Sequence, residues 1–387
     1  MTAPTAAAPP RAQSASRGAI AIQSGALALV AAALALVAVT TASNLQLRGI
    51  PVGFEFLNDR SGFKIADTVI PFVPDHSYLR AILVAIANTL FLSALVCIAA
   101  TVLGAALGVA RLSTNPLVAA LAAIWVEAVR NTPPLLLLIF LYAFWGQVMP
   151  AEAPREVAPG VLASIRGLAV PKLSLGLPPL ALLAAVALSA GLYLTASLAA
   201  RRAARAGRRA PYRSAALAAI GVAWLGAALA PGAGFELPLV EGDKIVGGAR
   251  LTPEFATALF GLTVYTAGFV AEIVRSGIQS VPRGQWEAGR ALGLRERQIL
   301  RLVVAPQMLR VIIPPMTSQY INTVKNSTLA IAVGYSEFMT VMGTVINRTN
   351  HAIEGTLIIV LVYTAINLAL SGVLNLYNRK VQLVGRA

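Results

Sequence analysis

The segment VPRGQWEAGRALGLRERQILRLVVAP, residues 281–306, is a polar and basic interruption between two apolar runs. Gly293 divides it into two predicted helical pieces, because glycine adopts the backbone conformation that often ends a helix. Trp286, Ala288 and Ala291–Leu292 form a small apolar face beside Glu287 and Arg290. A short helix of this kind suits insertion into a groove of a partner protein. The alternative is a solvated connector whose arginines only hold the membrane topology.

The composition of the whole chain is that of a membrane protein. Of its 387 residues, 57% are hydrophobic and 12% are charged, and the mean hydropathy is +0.73. Soluble domains carry about 25% charged residues, and a run of roughly 20 apolar residues crosses a bilayer. The net charge of +15 is explained by basic cytoplasmic loops better than by nucleic acid, which we exclude as a partner. The predicted fold class is all-α, a polytopic integral membrane protein.

About eight transmembrane helices are predicted. They cover residues 19–41, 81–110, 134–149, 177–200, 214–230, 255–275, 311–345 and 355–376. The run 117–149 is too long for one span, so we split it at Glu127–Pro134 into an interfacial helix, a polar break and a span. The seventh span is also too long and is broken near Lys325. Residues 1–18 are predicted to be a disordered tail, and residues 19–83 to hold the first span and an extramembrane loop.

The distribution of basic residues predicts the orientation of the chain. With the N-terminus inside, nineteen Lys and Arg residues fall on the inner side and ten on the outer side. Because positive charge accumulates in cytoplasmic loops, both termini and the 281–306 segment are predicted to be cytoplasmic.

The 281–306 segment resembles the conserved loop of ABC-type importer permeases. That family's pattern is Glu-Ala-Ala, three residues, Gly, nine residues, Ile-x-Leu-Pro. Here Glu287-Ala288-Gly289, Gly293 and the run Val303-Val304-Ala305-Pro306 occur at the same spacing. The departures at Gly289, Val303 and Ala305 are all towards similarly small or apolar residues, so the register is kept.

Further motifs resemble the polar amino acid uptake branch of that family. They are Ala271-Glu272-Ile273-Val274-Arg275 before the loop, Arg130-Asn131-Thr132-Pro133, and Asn88-Thr89-Leu90. The resemblance covers residues 84–380 and implies a permease domain with a five-helix core. An inserted hairpin at about 150–253 and the extra first span depart from it. Such enlargement resembles the permeases of general L-amino acid uptake systems in Gram-negative bacteria.

The resemblance implies a transmembrane subunit that moves L-amino acids from periplasm to cytoplasm across the bacterial inner membrane. It implies as partners an ATP-binding subunit in two copies, a second permease subunit in a heterodimer, and a periplasmic amino acid-binding protein. In the family the loop helix lies in a groove of the ATPase. The positions that carry over are Glu287, Ala288, Gly289 and Gly293, with Arg290 and Arg295 as weaker candidates for charge contacts.

The chain contains no Gly-x-x-x-x-Gly-Lys-Ser/Thr phosphate loop. ATP and Mg are therefore expected on the partner ATPase, and the chain is predicted to bind no cofactor and not to be an enzyme. Neither a catalytic triad nor a metal cluster is predicted, and His76 and His351 both lie in outer loops.

Polar residues within spans mark a candidate substrate pathway, since they are costly there and by default functional. Arg130 suits a bidentate pairing with an α-carboxylate, unless Glu127 neutralises it. The break in the seventh span suits a ligand site, unless it is an interfacial bend with a snorkelling Lys325. Glu272 and Arg275 are interpreted as an anchoring pair beside the loop. The pathway candidates are Glu127, Arg130, Asn131, Thr132, Lys325, Asn326, Ser327 and Thr328.

An ion-coupled secondary transporter of small polar solutes is the alternative function. It predicts two similar halves with matching broken helices, and the sequence has no convincing internal repeat.

Overall fold

The structure, a computed structural model, describes residues 17–47, 49, 52–150, 154–175, 179–206, 211–229, 233–241 and 244–382. Most of the predicted tail, residues 1–16, lies outside them. The helices are α1 Arg17–Leu47, α2 Tyr78–Ala110, α3 Pro116–Asn131, α4 Pro134–Val148, α5 Pro179–Arg205, α6 Tyr212–Ala228, α7 Pro253–Gln279, α8 Arg283–Ala291, α9 Glu296–Ile299, α10 Ala305–Asn326, α11 Phe338–Thr349 and α12 Ala352–Gln382. This is the predicted helical membrane protein.

The predicted spans correspond to helices of the structure. Among the described residues, five helical segments are long and apolar enough to cross a membrane, and α3 with α4 makes a sixth if the bent pair is one span. The predicted fourth and fifth spans are α5 and α6, whose described apolar parts are shorter.

The polar break in the third span is confirmed. Helix α3 ends at Asn131, Thr132 is its extended C-cap, and α4 begins at Pro134. The two helices meet at an angle of 103°. Pro133 and Pro134 favour this break because proline disfavours helical backbone at the residue before it.

At the predicted break in the seventh span the helix changes type without being interrupted, and the predicted end of that span is wrong. Helix α10 ends at Asn326 and continues as a 3-10 helix over Ser327–Val333. Gly334 then has φ +79°, a left-handed conformation in which the chain leaves the helix. Residues 338–349 form the separate helix α11, so the span ends at Val333 and not near residue 345.

Helix α7 is the centre of the core and packs most extensively against α2. A Cβ atom on Gly104 would lie 2.8 Å from the carbonyl oxygen of Ala267, and one on Gly108 would lie 2.6 Å from that of Ala271. These two glycines, four residues apart, let the two backbones approach as closely as small residues allow in membranes. Helices α3, α4 and α10 pack on other faces of α7.

The predicted loops around the hairpin contain strands, which the sequence analysis missed. The strands are β1 Arg155–Ala158, β2 Val161–Ser164, β3 Gly167–Val170, β4 Lys172–Leu175, β5 Ala233–Glu236, β6 Leu239–Glu241, β7 Lys244–Val246 and β8 Ala249–Leu251. They form a four-stranded antiparallel sheet in the order β1-β2-β3-β8 and two pairs, β4-β5 and β6-β7. Strand β8 leads directly into α7, so the sheet is joined to the central helix.

The predicted extramembrane loop before α2 is a folded cap. Phe56 and Phe63 are buried in one cluster with Tyr78 of α2 and Phe338 of α11. Asn88 of α2 donates from Nδ2 to the carbonyl oxygens of Asp67 at 2.6 Å and Ser336 at 2.8 Å. The Asn88 side chain therefore joins the cap, α2 and the segment before α11.

Candidate functional site

The 281–306 segment folds as two short helices followed by a π-helical turn at Leu300–Val304. Gly293 has φ +74°, as its predicted role at the end of α8 requires. The Leu294 amide donates to the Gly289 carbonyl at 3.2 Å, and the Gly293 amide donates to the Arg290 carbonyl at 2.9 Å. These two hydrogen bonds form a Schellman motif. The motif determines the direction in which the chain leaves α8.

The inner face of α8 packs on the rest of the segment. Trp286 contacts a cluster of buried residues formed by Val281, Ile299 and Val304. Gly289 is buried against Ile299, and a Cβ atom there would lie 2.8 Å from Ile299 Cγ1. The departure from alanine at this family position therefore makes room for Ile299.

The predicted apolar face is wrong in one respect, since Trp286 points towards this cluster while the remaining apolar residues point outwards. Ala288 and Ala291 are exposed, and Leu292 is 78% exposed. The Ala and Leu residues lie on the outer face because the 3.6-residue helical repeat separates them from Gly289 and Trp286.

A charged cavity lies along one side of α8, next to Trp286. A cavity of about 280 Å³ is lined by Arg283, Trp286, Glu287 and Arg290. Arg290 Nε donates to Glu296 Oε1 at 2.6 Å, and this hydrogen bond raises the pKa of the Arg290 guanidinium above its ordinary value. Arg295 is exposed at the start of α9. The cavity therefore combines the exposed carboxylate of Glu287 with the guanidinium groups of Arg283 and Arg290.

A cluster of arginine and glutamate side chains lies where α2 and α3 meet α7. We call its members, Arg111, Glu127, Arg130, Glu272 and Arg275, the arginine–glutamate cluster. Arg111 Nη1 donates to Glu272 Oε2 at 2.6 Å, and Arg275 Nη2 donates to Glu272 Oε1 at 2.5 Å. The predicted pair of Glu272 and Arg275 is thus present, within a larger network that also receives Arg111 from the end of α2.

Arg130 belongs to this network but is held loosely. Its Nη1 atom lies 3.8 Å from both Glu127 Oε1 and Glu272 Oε2. Its guanidinium carbon lies 5.5 Å from the ring centre of Phe269, a cation–π distance. Its buried Nε atom has no hydrogen-bond acceptor among the described residues. Since the cluster holds three arginines and two glutamates, one positive charge is left over.

The other predicted pathway residues are not brought to this cluster. Lys325 is exposed, and Ser327 and Thr328 bond the local carbonyls of Val324 and Lys325. Asn326 ends α10, Asn131 is exposed, and Thr132 Oγ1 donates to the Ala128 carbonyl at 2.8 Å. The hydrogen bonds and ion pairs of the described residues therefore divide the eight candidates into two groups. One lies at the end of α3, within residues 127–132, and the other lies at the end of α10, at residues 325–328.

Two residues that sequence reasoning did not select have defined positions. Arg111 is one of the nineteen basic residues that the charge pattern places on the inner side, and its position directly after an apolar run is the sequence signal for it. Thr89, quoted only as part of a motif, accepts the Phe338 amide at 2.9 Å and so holds the start of α11. Among the described residues, no three His, Cys, Asp or Glu side chains gather as a metal site.

Residues 214–383 match the family model described as the binding-protein-dependent transport system inner membrane component. The chain is 42% identical over 359 residues to YhdX of Escherichia coli (strain K12), which is named as an amino-acid ABC transporter permease; the match spans 89% of each chain. The chain belongs to the ABC transporter permease family. This permease therefore has the membrane-spanning transport role that its loop motif predicted.

Two further relatives match the permease over a similar length. It is 40% identical to the general L-amino acid transport system permease protein AapQ of Rhizobium johnstonii, over 89% of this chain and 88% of that one. It is 36% identical to BztB of Rhodobacter capsulatus, named as a glutamate/glutamine/aspartate/asparagine transport system permease protein, over the same shares. Each match is long enough to include the inserted hairpin as well as the core.

Proposed function

We propose that this permease forms part of the membrane pathway of an ATP-driven importer of L-amino acids. The observation that carries the proposal is the identity of 36–42% to three permeases named for amino acid transport, over 89% of the chain. The transported class belongs to the complete importer, in which a periplasmic amino acid-binding protein makes the first selection. Both termini and the 281–306 segment face the cytoplasm in this arrangement.

The outer face of α8 is the proposed contact with a separate ATP-binding subunit. Its exposed Glu287, Ala288 and Arg290 lie on one surface, and Arg295 lies next to it. Gly289 allows the close packing of α8 on Ile299, and the positive φ of Gly293 sets the direction of the chain after α8. ATP and Mg are held by that subunit, which is present in two copies, one for each permease of a heterodimer.

Movement of α8 has a direct route to the membrane. The segment packs on Val281 at the end of α7, and Gln307 Nε2 at the start of α10 donates to Gln285 Oε1 at 3.1 Å. Gly277 of α7 packs against Ile312 of α10, where a Cβ atom would lie 2.2 Å from Ile312 Cγ1. Because these contacts are close-packed, a shift of α8 is passed to both helices and so to Glu272 and Arg275.

The substrate pathway is proposed to pass the bend between α3 and α4. Arg130 stands one residue before that bend region with an unused Nε donor and excess positive charge nearby. A substrate α-carboxylate supplies the missing negative charge. Lys325–Thr328 mark the second part of the pathway, where α10 passes into the 3-10 helix.

The test is a pair of charge reversals in the complete importer. Glu287→Arg should abolish co-purification of the ATP-binding subunit and amino acid uptake while leaving membrane insertion intact. Glu55→Arg is the matched control, because Glu55 is also exposed but lies in the cap before α2. Normal co-purification with Glu287→Arg would overturn the proposed contact. Uptake should be assayed across a panel of amino acids with the binding protein present, and a wild-type importer that carries none of them would overturn the substrate class.

A further inference from the structure

The α5–α6 hairpin contains a cavity that the proposed transport mechanism does not use. Its volume is about 510 Å³, and it lies at the end where α5 finishes and α6 begins. Its lining is mostly aliphatic and contains three polar side chains, Thr195, Arg202 and Tyr212. The lining residues are Thr195, Leu198, Ala199, Arg202, Ala203, Ala206 and Tyr212.

The hairpin stands apart from the permease core. Among the described residues, α5 and α6 pack mainly against each other, and Trp224 Nε1 donates to Ser189 Oγ at 3.1 Å between them. Large apolar side chains remain exposed on both helices, including Leu194 at 62% and Val222 at 70%. In a membrane these surfaces are covered by lipid, so lipid has direct access to the cavity.

The sequence around the cavity carries positive charge and no negative charge. Six arginines occur within residues 201–213, and no Asp or Glu lies between Glu156 and Glu236. Arg202 lines the cavity, and the exposed Arg213 follows the lining residue Tyr212 in the sequence. Neither forms an ion pair with any residue that the structure describes, in contrast to the arginines of the arginine–glutamate cluster.

The elements of the site match the parts of a phospholipid. Residues 195, 198, 199 and 202 lie on one face of α5 at helical spacing, so Leu198 and Ala199 are each about one turn from Arg202. Tyr212 adds a phenol at the level where aromatic side chains meet headgroups. Guanidinium groups bind phosphate through paired N–H donors, and basic pockets between membrane helices hold anionic headgroups.

We infer that this cavity is a binding site for an anionic phospholipid, with the phosphate on Arg202 and Arg213 and an acyl chain along Leu198 and Ala199. The bound lipid fixes the inserted hairpin at the membrane surface beside the core. The inference concerns the hairpin alone and does not depend on the transported substrate.

The test measures lipid that stays bound to the complete importer. The importer is reconstituted into vesicles of equal parts phosphatidylglycerol and phosphatidylcholine, re-extracted in mild detergent, and analysed for bound lipid by mass spectrometry. Wild type should retain phosphatidylglycerol in preference to phosphatidylcholine. The variant Arg202→Gln should lower phosphatidylglycerol retention about fivefold. The double variant Arg202→Gln/Arg213→Gln should lower it by about a further fivefold.

Two further variants separate the site from general electrostatics. Arg155→Gln/Arg166→Gln removes two exposed arginines of the β1-β2-β3-β8 sheet and its turn, and it should leave lipid retention unchanged. Ala203→Leu fills part of the cavity without changing charge, and it should also reduce phosphatidylglycerol retention.

Four outcomes would overturn the inference. Two concern lipid retention: equal retention of both lipids by wild type, and no loss of phosphatidylglycerol in the Arg202→Gln/Arg213→Gln variant. The third is release of the lipid by inorganic phosphate, which would indicate a free-phosphate site. The fourth is loss of the ATP-binding subunit from the Arg202→Gln/Arg213→Gln variant, which would indicate a protein contact. Loss of lipid with uptake retained would support the lipid site independently of the proposed function.

Discussion

Arg111, the residue that ends α2, donates to Glu272 of α7 at 2.6 Å, and its side chain is only 12% exposed. This contact lies at the end of the closely packed α2–α7 pair, seven residues after the close approach at Gly104. It also places a fixed guanidinium beside Arg275 and Arg130. The loop-proximal end of α7 is therefore held by two arginines at once.

The pair of Arg111 and Glu272 should be energetically coupled. Arg111→Gln and Glu272→Gln should each destabilise the purified permease, and the double variant should be less destabilised than the sum of the two. We expect a coupling of about 1.5–3 kcal/mol, because a hydrogen bond between charged groups is lost. Chemical denaturation in detergent measures it, and additive effects would show that the contact contributes nothing.

Arg130→Gln should behave differently from Arg111→Gln. Its ion pairs are 3.8 Å long, and such loose pairs are worth at most about 1 kcal/mol. Stability and assembly with the ATP-binding subunit should thus be close to wild type, whereas amino acid uptake should fall. Uptake by reconstituted vesicles, measured beside co-purification, distinguishes the two residues; unchanged transport would remove Arg130 from the pathway.

Gly104→Ala and Gly108→Ala should destabilise the core by about 1–3 kcal/mol through overpacking. The added methyl groups would meet the α7 backbone at 2.8 Å and 2.6 Å, and backbone has little freedom to move. Gly221→Ala in α6 is the control, because no atom lies within 4 Å of its Cβ position. Thermal denaturation should give lower melting temperatures for the two α2 variants than for Gly221→Ala. Equal melting temperatures for all three variants would contradict the close packing of α2 on α7.

Gly293→Ala tests the conformation at the end of α8. A side chain there meets no neighbour, so only the φ of +74° opposes it, at a cost of about 1–2 kcal/mol. Because the global fold is not involved, the variant should insert normally but bind the ATP-binding subunit more weakly. Gly284 lies in the same helix, with open space around its Cβ position and an ordinary φ. The control variant Gly284→Ala should therefore bind the ATP-binding subunit normally. Equal binding by both variants would contradict a role for the Schellman motif.

Asp67 should make stability depend on pH. Burial raises the pKa of this carboxyl above its ordinary value, against a smaller opposite effect of the hydrogen bond from Thr252 Oγ1 at 2.8 Å. The folded protein therefore resists ionisation, and stability should fall as pH rises from the ordinary pKa of Asp through the raised one. Asp67→Asn keeps an acceptor for Thr252 and should flatten this part of the pH profile of the melting temperature. A variant with the wild-type profile would assign the dependence to another group.

Local chemistry predicted the parts of the fold that depend on neighbouring residues. The break at Thr132–Pro134 follows from prolines inside an apolar run, and the polar residues Lys325–Thr328 coincide with a change from α-helix to 3-10 helix. The end of α8 follows from Gly293, whose missing side chain permits positive φ. The loop motif identified the family because its spacing is a property of one short segment.

The strands around the hairpin and the folded cap could not be predicted in the same way. The strands are only three or four residues long, and such runs show no clear period in the sequence. The cap depends on Asn88, whose hydrogen-bond partners Asp67 and Ser336 are far apart in the sequence. The sequence alone does not say which distant carbonyls one amide will reach.

Composition and the lengths of the apolar runs thus indicated a helical membrane protein, and the prolines at 133 and 134 predicted a break in one helix. The residues Glu287-Ala288-Gly289 and Gly293 carried the resemblance to the loop of ABC permeases. Only the tertiary structure decided that Arg111 joins Glu272, that Trp286 packs inwards, and that Lys325 stays away from Arg130. The physical reason is that membrane helices are formed by local hydrogen bonds and apolar length. Their mutual packing depends on close contacts between residues far apart in sequence, such as Gly104 and Ala267.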